Sequence, residues 1–234
     1  MFLSLFNSVA SAKCPPHVVY LQDPRFWRSR LPSFRNYTSF APSGGTGNKP
    51  KVAFYVSTYL LAQATVLPAF FDRPGVVALD MFGVDLFRKS FSDFCILNLY
   101  NLWTKRTSQM TVSPLVSFPQ TSYPTLVVGC FNIHHPLSDP LRSHSAEVLV
   151  TSFLYFSRSS ELGFGLLNQP GVSIRFPLSG SGRPSVLDLS FTSPSLLPFC
   201  QTWDTSLPCT GSDHVPVQII LSHPFTSTPP PSSN

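Results

Sequence analysis

The feature that most constrains the fold is an apolar run, residues 126–128, that ends at Gly129 and leads directly into Cys130, Phe131 and Asn132. Such a run is typical of a buried strand, and the first residues beyond it reach the rim of a sheet. Gly129 allows the backbone to approach a neighbour or a ligand closely. Asn132 then presents a donor and an acceptor from a fixed position. An ordinary strand followed by a turn has the same pattern, so this stretch alone leaves both interpretations open.

The composition indicates a globular chain of one large domain or two small ones. Of its 234 residues, 43% are hydrophobic and 12% are charged, which supplies a core and excludes disorder throughout. The 24 prolines favour short elements, because proline interrupts helices and central strands. A net charge of +5, spread from Lys13 to Arg183, mildly favours a polyanionic partner. A slightly basic solvated surface is equally compatible with it.

Cysteine usage and the N-terminus predict an intracellular protein, nuclear or cytoplasmic and not secreted. The five cysteines are odd in number and include no C-x-x-C pair, which favours reduced thiols over a disulfide framework. Residues 1–12 lack the basic region of a signal peptide. No apolar run approaches the roughly 20 residues of a membrane span, so we expect no membrane association. The cysteines are Cys14, Cys95, Cys130, Cys200 and Cys209.

Periodicity and turn residues predict a single α/β domain over residues 1–221 and a disordered tail rich in Pro, Ser and Thr over 222–234. Two sheets packed face to face, with helices outside, best accommodate roughly eight or nine short strands. The predicted strands are 17–21, 52–56, 76–81, 94–100, one that includes 126–128, 164–167, 172–176, 186–191 and 215–221, with a hairpin turn at 168–171. The other predictions are helices over 2–9 and 145–157, a helix or irregular segment over 107–118, and a loop over 25–48.

One strand contains a carboxylate in an otherwise apolar sequence. Asp188 lies within residues 186–191, and a buried carboxylate needs a partner. His214, just before the last predicted strand, is the natural one. An Asp–His pair fixes the imidazole tautomer and raises its basicity. Local pairing or capping by Asp188 is the plainer alternative.

Polar side chains follow several other predicted strands. Asp23 and Asp213 offer oxygen ligands suited to Mg²⁺ or Mn²⁺, and Tyr100 and Asn132 can hydrogen-bond a phosphate. Together with the Asp–His pair, these groups suit metal-assisted hydrolysis of a phosphodiester. Each has a plain alternative: Asp213 can be an N-cap or turn residue, and Tyr100 can be a half-buried core residue.

Two histidines that follow the strand at residues 126–128 raise the question of a zinc site. His134 and His135 follow Cys130 after four and five residues, but this spacing matches no common structural zinc site. Side chains of adjacent residues on an extended chain also point apart. We therefore expect no zinc at these two histidines.

Five motifs, in order along the chain, resemble the endonuclease/exonuclease/phosphatase superfamily, and most closely the endonuclease domain of fungal non-LTR retrotransposons. The resemblance covers nearly the whole chain up to Leu221. It implies a four-layer α/β sandwich of two mixed β-sheets flanked by helices. The motifs are Tyr20-Leu21-Gln22-Asp23-Pro24, Ile96-Leu97-Asn98-Leu99-Tyr100-Asn101, Val128-Gly129-Cys130-Phe131-Asn132, Ser185-Val186-Leu187-Asp188-Leu189 and Gly211-Ser212-Asp213-His214-Val215-Pro216-Val217.

The resemblance also implies an activity, a cofactor and a partner. The family cuts DNA or other phosphodiesters with Mg²⁺. Asp23 stands where the family's metal-binding Glu usually lies, and Asp213 would lie at the metal site. Asp188 would orient His214. DNA would be the partner, and no obligate protein partner is evident.

Two more positions complete the implied site. Tyr100 would contact the scissile phosphate, and Asn132 would help to hold the attacking water or the phosphate. Cys130, however, stands where the family's Gly-Asp-Phe-Asn pattern has Asp, whose carboxylate positions or deprotonates the water. A thiol is mostly neutral at pH 7, and losing such a general base costs roughly 10²–10⁴ in rate.

Two further departures concern the first strand and the metal ligand. By this resemblance we expect the family's first strand, with its Asn, to be missing, since Asn7 lies too close to Asp23 to leave room for it. Asp23 is one methylene shorter than Glu. We therefore expect a damaged nuclease of mobile-element origin with weak or absent activity. One alternative is a binding module that retains DNA without cutting it. The other is an active phosphodiesterase in which a metal-bound hydroxide makes a general base at position 130 unnecessary.

Overall fold

The computed structural model describes residues 15–22, 31–41, 51–60, 63–66, 79–87, 94–101, 124–132, 134–139, 159–177, 182–205 and 212–221. These residues form eleven strands, one 3-10 helix over Leu197–Phe199 and a short α-helical stretch at 159–161. The strands are β1 (Val18–Gln22), β2 (Tyr37–Phe40), β3 (Val52–Ser57), β4 (Gln63–Val66), β5 (Leu79–Phe87), β6 (Phe94–Asn101), β7 (Thr125–Cys130), β8 (Gly165–Leu166), β9 (Asp188–Thr192), β10 (Cys200–Asp204) and β11 (Gln218–Leu221).

The first sheet has three strands, with β3 in the middle and β1 and β2 on its two sides. Both pairings are antiparallel. All six residues of β3 are buried, as expected of a continuous apolar run that is covered on both faces. Its β-branched and aromatic side chains are those that fit a pleated surface.

The second sheet has six strands in the order β4-β5-β6-β7-β9-β8. Strands β6 and β7 are parallel and the other pairs are antiparallel, so the sheet is mixed. Strands β10 and β11 form a separate antiparallel pair. Sheets of parallel and antiparallel strands confirm the predicted α/β sandwich fold.

The two larger sheets pack face to face, as predicted. One cluster of buried side chains joins the first sheet to the second, and it consists of Val52, Phe54 and Val56 of β3, Ile96 of β6, Leu126 and Val128 of β7, and Leu196. Because side chains alternate along a strand, the other face of the second sheet carries the odd-numbered residues of β6, β7 and β9. Those residues pack with Ile174 and Val186 in a second cluster.

A fully buried amide joins the two sheets as well. Asn98 of β6 donates from Nδ2 to the carbonyl oxygens of Leu21, at 2.9 Å, and Ala53, at 3.1 Å. Its Oδ1 accepts a hydrogen bond from Gln22 Nε2 at 2.9 Å. Three hydrogen bonds therefore satisfy this side chain and fix how the sheets stack.

Several strand predictions are confirmed and others are wrong. The strands predicted at 17–21, 52–56, 94–100, 126–128 and 186–191 are present, and those at 76–81 and 215–221 appear with shifted bounds. Strand β2 lies inside the predicted loop 25–48, and β4 and β10 were not predicted. Their short, partly polar sequences carry little periodicity, and their pairing partners lie elsewhere in the chain.

The predicted hairpin between 164–167 and 172–176 is also wrong. The turn is present, with Val172 N donating to Gln169 O, but β8 pairs with β9. The segment after the turn instead forms isolated bridges from Arg175 to Ser185 and to His214. Non-local pairing overrode the local hairpin signal.

Three further findings complete the fold. The helices predicted at 2–9 and 145–157, the helix or irregular segment predicted at 107–118, and the tail at 222–234 lie outside the described residues. Within the described ranges, no helix has the length and hydropathy needed to cross a membrane. Cys95, Cys130 and Cys200 are free thiols, as predicted for reduced cysteines.

Candidate active site

The site begins at Gly129 of β7, which lies beside Leu99 of β6. Gly129 has a φ of 154°, and a Cβ at this position would lie 2.0 Å from the carbonyl oxygen of Leu99. Any side chain here would collide with the neighbouring backbone, so glycine is required. The next residue, Cys130, ends the strand on the face that meets the first sheet.

Strand register places three side chains in one row across the second sheet. Tyr100 of β6 pairs with Cys130 of β7, and Cys130 pairs with Asp188 of β9. Residues paired across neighbouring strands share a face of the sheet. The row therefore brings together a phenol, a thiol and a carboxylate at the end of β7. We refer to Tyr100, Cys130 and Asp188 as the site row.

The carboxylate of the site row holds the histidine that the sequence predicted as its partner. His214 Nδ1 and Asp188 Oδ2 are 2.6 Å apart. The side chain of Asp188 is 11% exposed and that of His214 is 30% exposed, so one end of the pair is buried and the other reaches solvent. This geometry fixes the orientation of the imidazole ring.

The pair changes the ionisation of His214. Burial lowers the pKa of His214, but the hydrogen bond and charge of Asp188, helped by the charge of Asp213, outweigh burial and the nearby Arg175. The net effect is a raised pKa. A carboxylate that stabilises an imidazolium in this way suits the ring to accept and return a proton.

Asn168 fixes the backbone at Asp188, and the sequence reasoning missed it. Its Nδ2 donates to the carbonyl oxygen of Asp188 at 2.9 Å, and its Oδ1 accepts from Ser190 N at 2.8 Å. The buried amide thus acts like a short extra strand beside β9. The sequence shows Asn168 only as the start of a turn, which gives no signal of this contact.

Arg175 is a second residue that the sequence did not indicate. It forms a bridge with His214, and its Nε lies 3.1 Å from Asp213 Oδ2. Asp213, predicted as a metal ligand, is therefore engaged in an ion pair at the rim, with 36% of its side chain exposed. At the other end of the site row, Lys51 places its Nζ 5.9 Å from the Tyr100 ring centroid.

Tyr20 of β1, in the first sheet, lies between the two sheets on the side of the site row. Burial, and secondly the charge of Asp188, raise the pKa of this phenol. It packs in the cluster between the sheets with Tyr100. The site row is thus covered by β1, whose C-terminal end leads to Asp23, a predicted metal ligand that lies outside the described residues.

Cys130 is the residue that departs most from what hydrolysis requires. It is 3% exposed, and burial, followed by the negative charge of Asp188, raises the pKa of its thiol well above the usual range. The thiol is therefore neutral at pH 7 and cannot take a proton as a carboxylate would. Its sulfur, a carboxylate oxygen of Asp188 and a ring nitrogen of His214 lie within 4.8 Å of one another.

Asn132 follows two residues after Cys130 in an unusual backbone conformation. Its φ is 51°, a left-handed value that asparagine tolerates better than most residues. The preceding Phe131 is fixed by its N–H, which donates to Leu187 O at 2.9 Å. The conformation turns the chain sharply at the end of β7 and leaves Asn132 half-buried beside the site row.

The two histidines considered for zinc do not join Cys130. His134 Nδ1 lies 3.2 Å from Asp139 Oδ2, and His135 is buried, with its Nδ1 accepting from Leu137 N at 3.1 Å. Both belong to the loop that follows β7. A more distant histidine, His214, approaches the thiol instead.

The assembled donor set bears on which cation the site fits. Mg²⁺ prefers oxygen ligands, whereas the group around Cys130 supplies one sulfur, one nitrogen and one carboxylate. This group does not fit Mg²⁺. Asp213 has the right donor type for Mg²⁺ and lies next to His214, on the rim.

Comparisons with known proteins agree with this architecture. The profile of the family described as endonuclease-reverse transcriptase matches residues 94–218, more than half of the chain. The endonuclease domain of TRAS1, a telomere-specific non-LTR retrotransposon, has a similar structure, with a TM-score of 0.67 and 16% identity over 95% of this chain and 91% of that one. No curated protein matches the sequence.

Two other solved structures share the fold. A 3'-5' exonuclease (NExo) from Neisseria meningitidis has a TM-score of 0.66 and 18% identity, over 94% of both chains. An AP endonuclease from Archaeoglobus fulgidus has a TM-score of 0.60 and 15% identity, over 89% of this chain and 90% of that one. The matched family profile and the fold thus define a member of the endonuclease/exonuclease/phosphatase superfamily. Within it, the chain belongs to the endonuclease-reverse transcriptase family.

Proposed function

We propose that this chain is a phosphodiester hydrolase domain of the DNA endonuclease type, of retrotransposon origin, whose catalysis is impaired at Cys130. The observation that carries the proposal is the 2.6 Å contact between Asp188 and His214 at the end of the site row. An oriented, partly exposed histidine of raised pKa is the central part of a proton-transfer site. The similarity to the TRAS1 endonuclease domain supports the retrotransposon origin.

In this proposal each residue of the site has a role. Asp188 orients His214 and stabilises its charged form. Tyr100 contacts the scissile phosphate from the other end of the site row. Asn132, set by its left-handed backbone, holds the attacking water or a phosphate oxygen.

The cation that we propose for cutting is Mg²⁺ or Mn²⁺, with oxygen ligands from Asp23 and Asp213. When bound, such a cation would neutralise negative charge on the phosphate. The chain's own contribution is to hold the substrate at the exposed rim beside the site row, where His214 reaches solvent, and to supply that histidine. Lys51 beside Tyr100 and Arg175 beside His214 add positive charge at the two ends of the site row, which favours an anionic backbone.

DNA is the proposed substrate. A net charge of +5 and a pI of about 9.1 favour a polyanion. One of the similar structures is a Neisseria 3' phosphatase, NExo, bound to a product DNA hairpin. Because Cys130 is neutral where a base is expected, we propose that the native chain nicks DNA roughly 10²–10⁴ times more slowly than a chain with Asp at this position.

A plasmid-nicking assay with Mg²⁺ tests the proposal. Four chains are compared: the native one, His214→Ala, Cys130→Asp and the double variant Cys130→Asp/His214→Ala. We expect weak nicking by the native chain, strong nicking by Cys130→Asp, and loss of the gain in the double variant. Equal nicking by Cys130→Asp and the double variant would remove His214 from the reaction.

A binding module that does not cut is the second candidate. It is favoured by the basic charge together with the neutral thiol of Cys130. It predicts retention of DNA that weakens steeply with salt and no nicking by any of the four chains.

A further inference from the structure

Three donor atoms of different chemistry converge at the end of β7. They are the sulfur of Cys130, a carboxylate oxygen of Asp188 and a ring nitrogen of His214, all within 4.8 Å of one another. They come from β7, from β9 and from the segment before β11, so the tertiary fold assembles them. In the described ranges, no other group of three such side chains is this close.

We propose that Cys130, Asp188 and His214 bind a thiophilic divalent cation such as Zn²⁺. Sulfur and imidazole nitrogen are the ligands that zinc prefers, and carboxylate is a common third. A tetrahedral zinc ion holds its ligand atoms roughly 3.5 Å apart. Side-chain rotations that move the ligand atoms by about 1 Å would therefore bring all three within bonding distance of one ion. The solvent-facing side of His214 leaves a further position for water.

The arrangement is a triangle, which distinguishes it from a nucleophilic relay. In a Cys–His–Asp relay, the histidine stands between the thiol and the carboxylate. Here Cys130 is directly opposite Asp188 in the ladder between β7 and β9. The thiol faces a negative charge that keeps it protonated, so it is not an activated nucleophile. A cation between the three groups reverses that effect.

The buried carboxylate supports the same conclusion. One oxygen of Asp188 accepts from His214, while Oδ1 is buried and has no hydrogen bond of good geometry among the described residues. The thiol of Cys130, a weak donor, also interacts with this carboxylate. Buried carboxylate oxygens are normally paired. A cation at this position would give Oδ1 its missing partner.

The protons and charges of the binding step balance without any change of oxidation state. A bond forms between the sulfur of Cys130 and the metal, the S–H bond breaks, and that proton passes to solvent. His214 binds as the neutral ring, so an imidazolium releases its proton as well. Binding therefore strengthens as pH rises.

Occupancy also has a consequence for catalysis. An ion held by Asp188 and His214 takes both groups out of proton transfer, so Zn²⁺ inhibits nicking. This consequence alone rests on the proposed function. The binding itself does not, and a chain that never cuts DNA would still bind the ion.

Equilibrium dialysis of the full, metal-free chain against Zn²⁺, with Mg²⁺ in large excess, tests the site. Native protein is compared with Cys130→Ser and His214→Ala, and with Cys200→Ser as a matched thiol control. We expect one tightly held Zn²⁺ in the native chain and in Cys200→Ser. Affinity falls roughly 10- to 100-fold or more in the other two, because losing a ligand costs at least as much as losing its supporting partner. Absence of tight binding by the native chain, or unchanged binding by Cys130→Ser, overturns the proposal.

Substitution with Co²⁺ gives a second readout that does not depend on affinity. A cobalt–thiolate bond absorbs in the near ultraviolet, so the band appears in the native chain and in Cys200→Ser and disappears in Cys130→Ser. Circular dichroism confirms that each variant is folded. If Cys130→Ser does not fold, Cys130→Asp takes its place: it keeps a ligand but has no sulfur, so a persistent thiolate band would place the metal at another cysteine.

Discussion

Two neighbouring rows of the second sheet contain buried polar groups, and they differ in how those groups are satisfied. In one row, Asn98 is paired through Val128 to Ser190, and in the next, Tyr100 is paired through Cys130 to Asp188. Asn98 makes three hydrogen bonds to the first sheet. Asp188 has one satisfied oxygen and one without a hydrogen bond of good geometry among the described residues.

The row of Asn98, Val128 and Ser190 has a structural role, and we call it the structural row. The site row has a chemical role, and we also call it the chemical row. A fully satisfied amide locks the stacking of two sheets and has no capacity left for a ligand. A carboxylate with an unsatisfied oxygen next to a thiol and an imidazole is poised to accept a proton or a cation.

Replacing Gly129, which lies in β7 between the two rows, should have the largest effect. In Gly129→Ala, the new Cβ would lie 2.0 Å from Leu99 O at a φ of 154°. We expect a loss of more than about 4 kcal/mol in the free energy of unfolding, measured by urea denaturation. Gly165→Ala is the control, since its Cβ would meet Leu197 at an ordinary 3.7 Å. Equal stability of the two variants would mean that β6 and β7 do not approach this closely.

Restoring a carboxylate in the chemical row should have the next largest effect. Cys130→Asp is expected to raise the single-turnover nicking rate roughly 10²–10⁴-fold, because it supplies a group that can accept a proton. Cys200→Asp, at a cysteine outside the site row, should leave the rate unchanged. If both variants nick at the native rate, the thiol is not the defect.

Removing the amide of the structural row should affect stability and not chemistry. Asn98→Ala leaves the carbonyl oxygens of Leu21 and Ala53 without their donor, and we expect a loss of about 3 kcal/mol in the free energy of unfolding. When measured well below the unfolding transition in the Cys130→Asp background, the nicking rate should stay within a factor of about three. A much larger loss of rate would show that the two rows are not independent.

The smallest effect concerns pH. The pKa of His214 is raised in the folded chain, so its stabilising contribution is fully present below the unfolded value of about 6.5 and is lost as pH rises through the folded value. The native chain should therefore lose its stability advantage over His214→Gln across this window. His17→Gln, at an exposed histidine, should follow the native chain, and unfolding curves at several pH values measure both. An advantage that stays constant with pH would mean that Asp188 does not stabilise the imidazolium.

The sequence predicted the Asp188–His214 pair, but it did not predict the residues that position this pair. Asp188 and His214 could be paired from sequence because a carboxylate in an apolar strand needs a partner. Arg175 and Asn168 could not, since their contacts depend on bridges between segments that no periodicity signals. The hairpin at 168–171 failed for the same reason. The local turn was predicted correctly, but β8 before it pairs with β9, and the segment after it forms only isolated bridges.

If Cys130, Asp188 and His214 form one site, the ionisation of His214 must depend on the residue at position 130. Imidazole NMR across a pH titration gives the pKa of this ring in the native chain and in Cys130→Asp. A second carboxylate within about 5 Å favours the imidazolium, so the account predicts a higher pKa in the variant. The same pKa in both folded chains would contradict it, because position 130 would then lie too far from the ring to belong to the site.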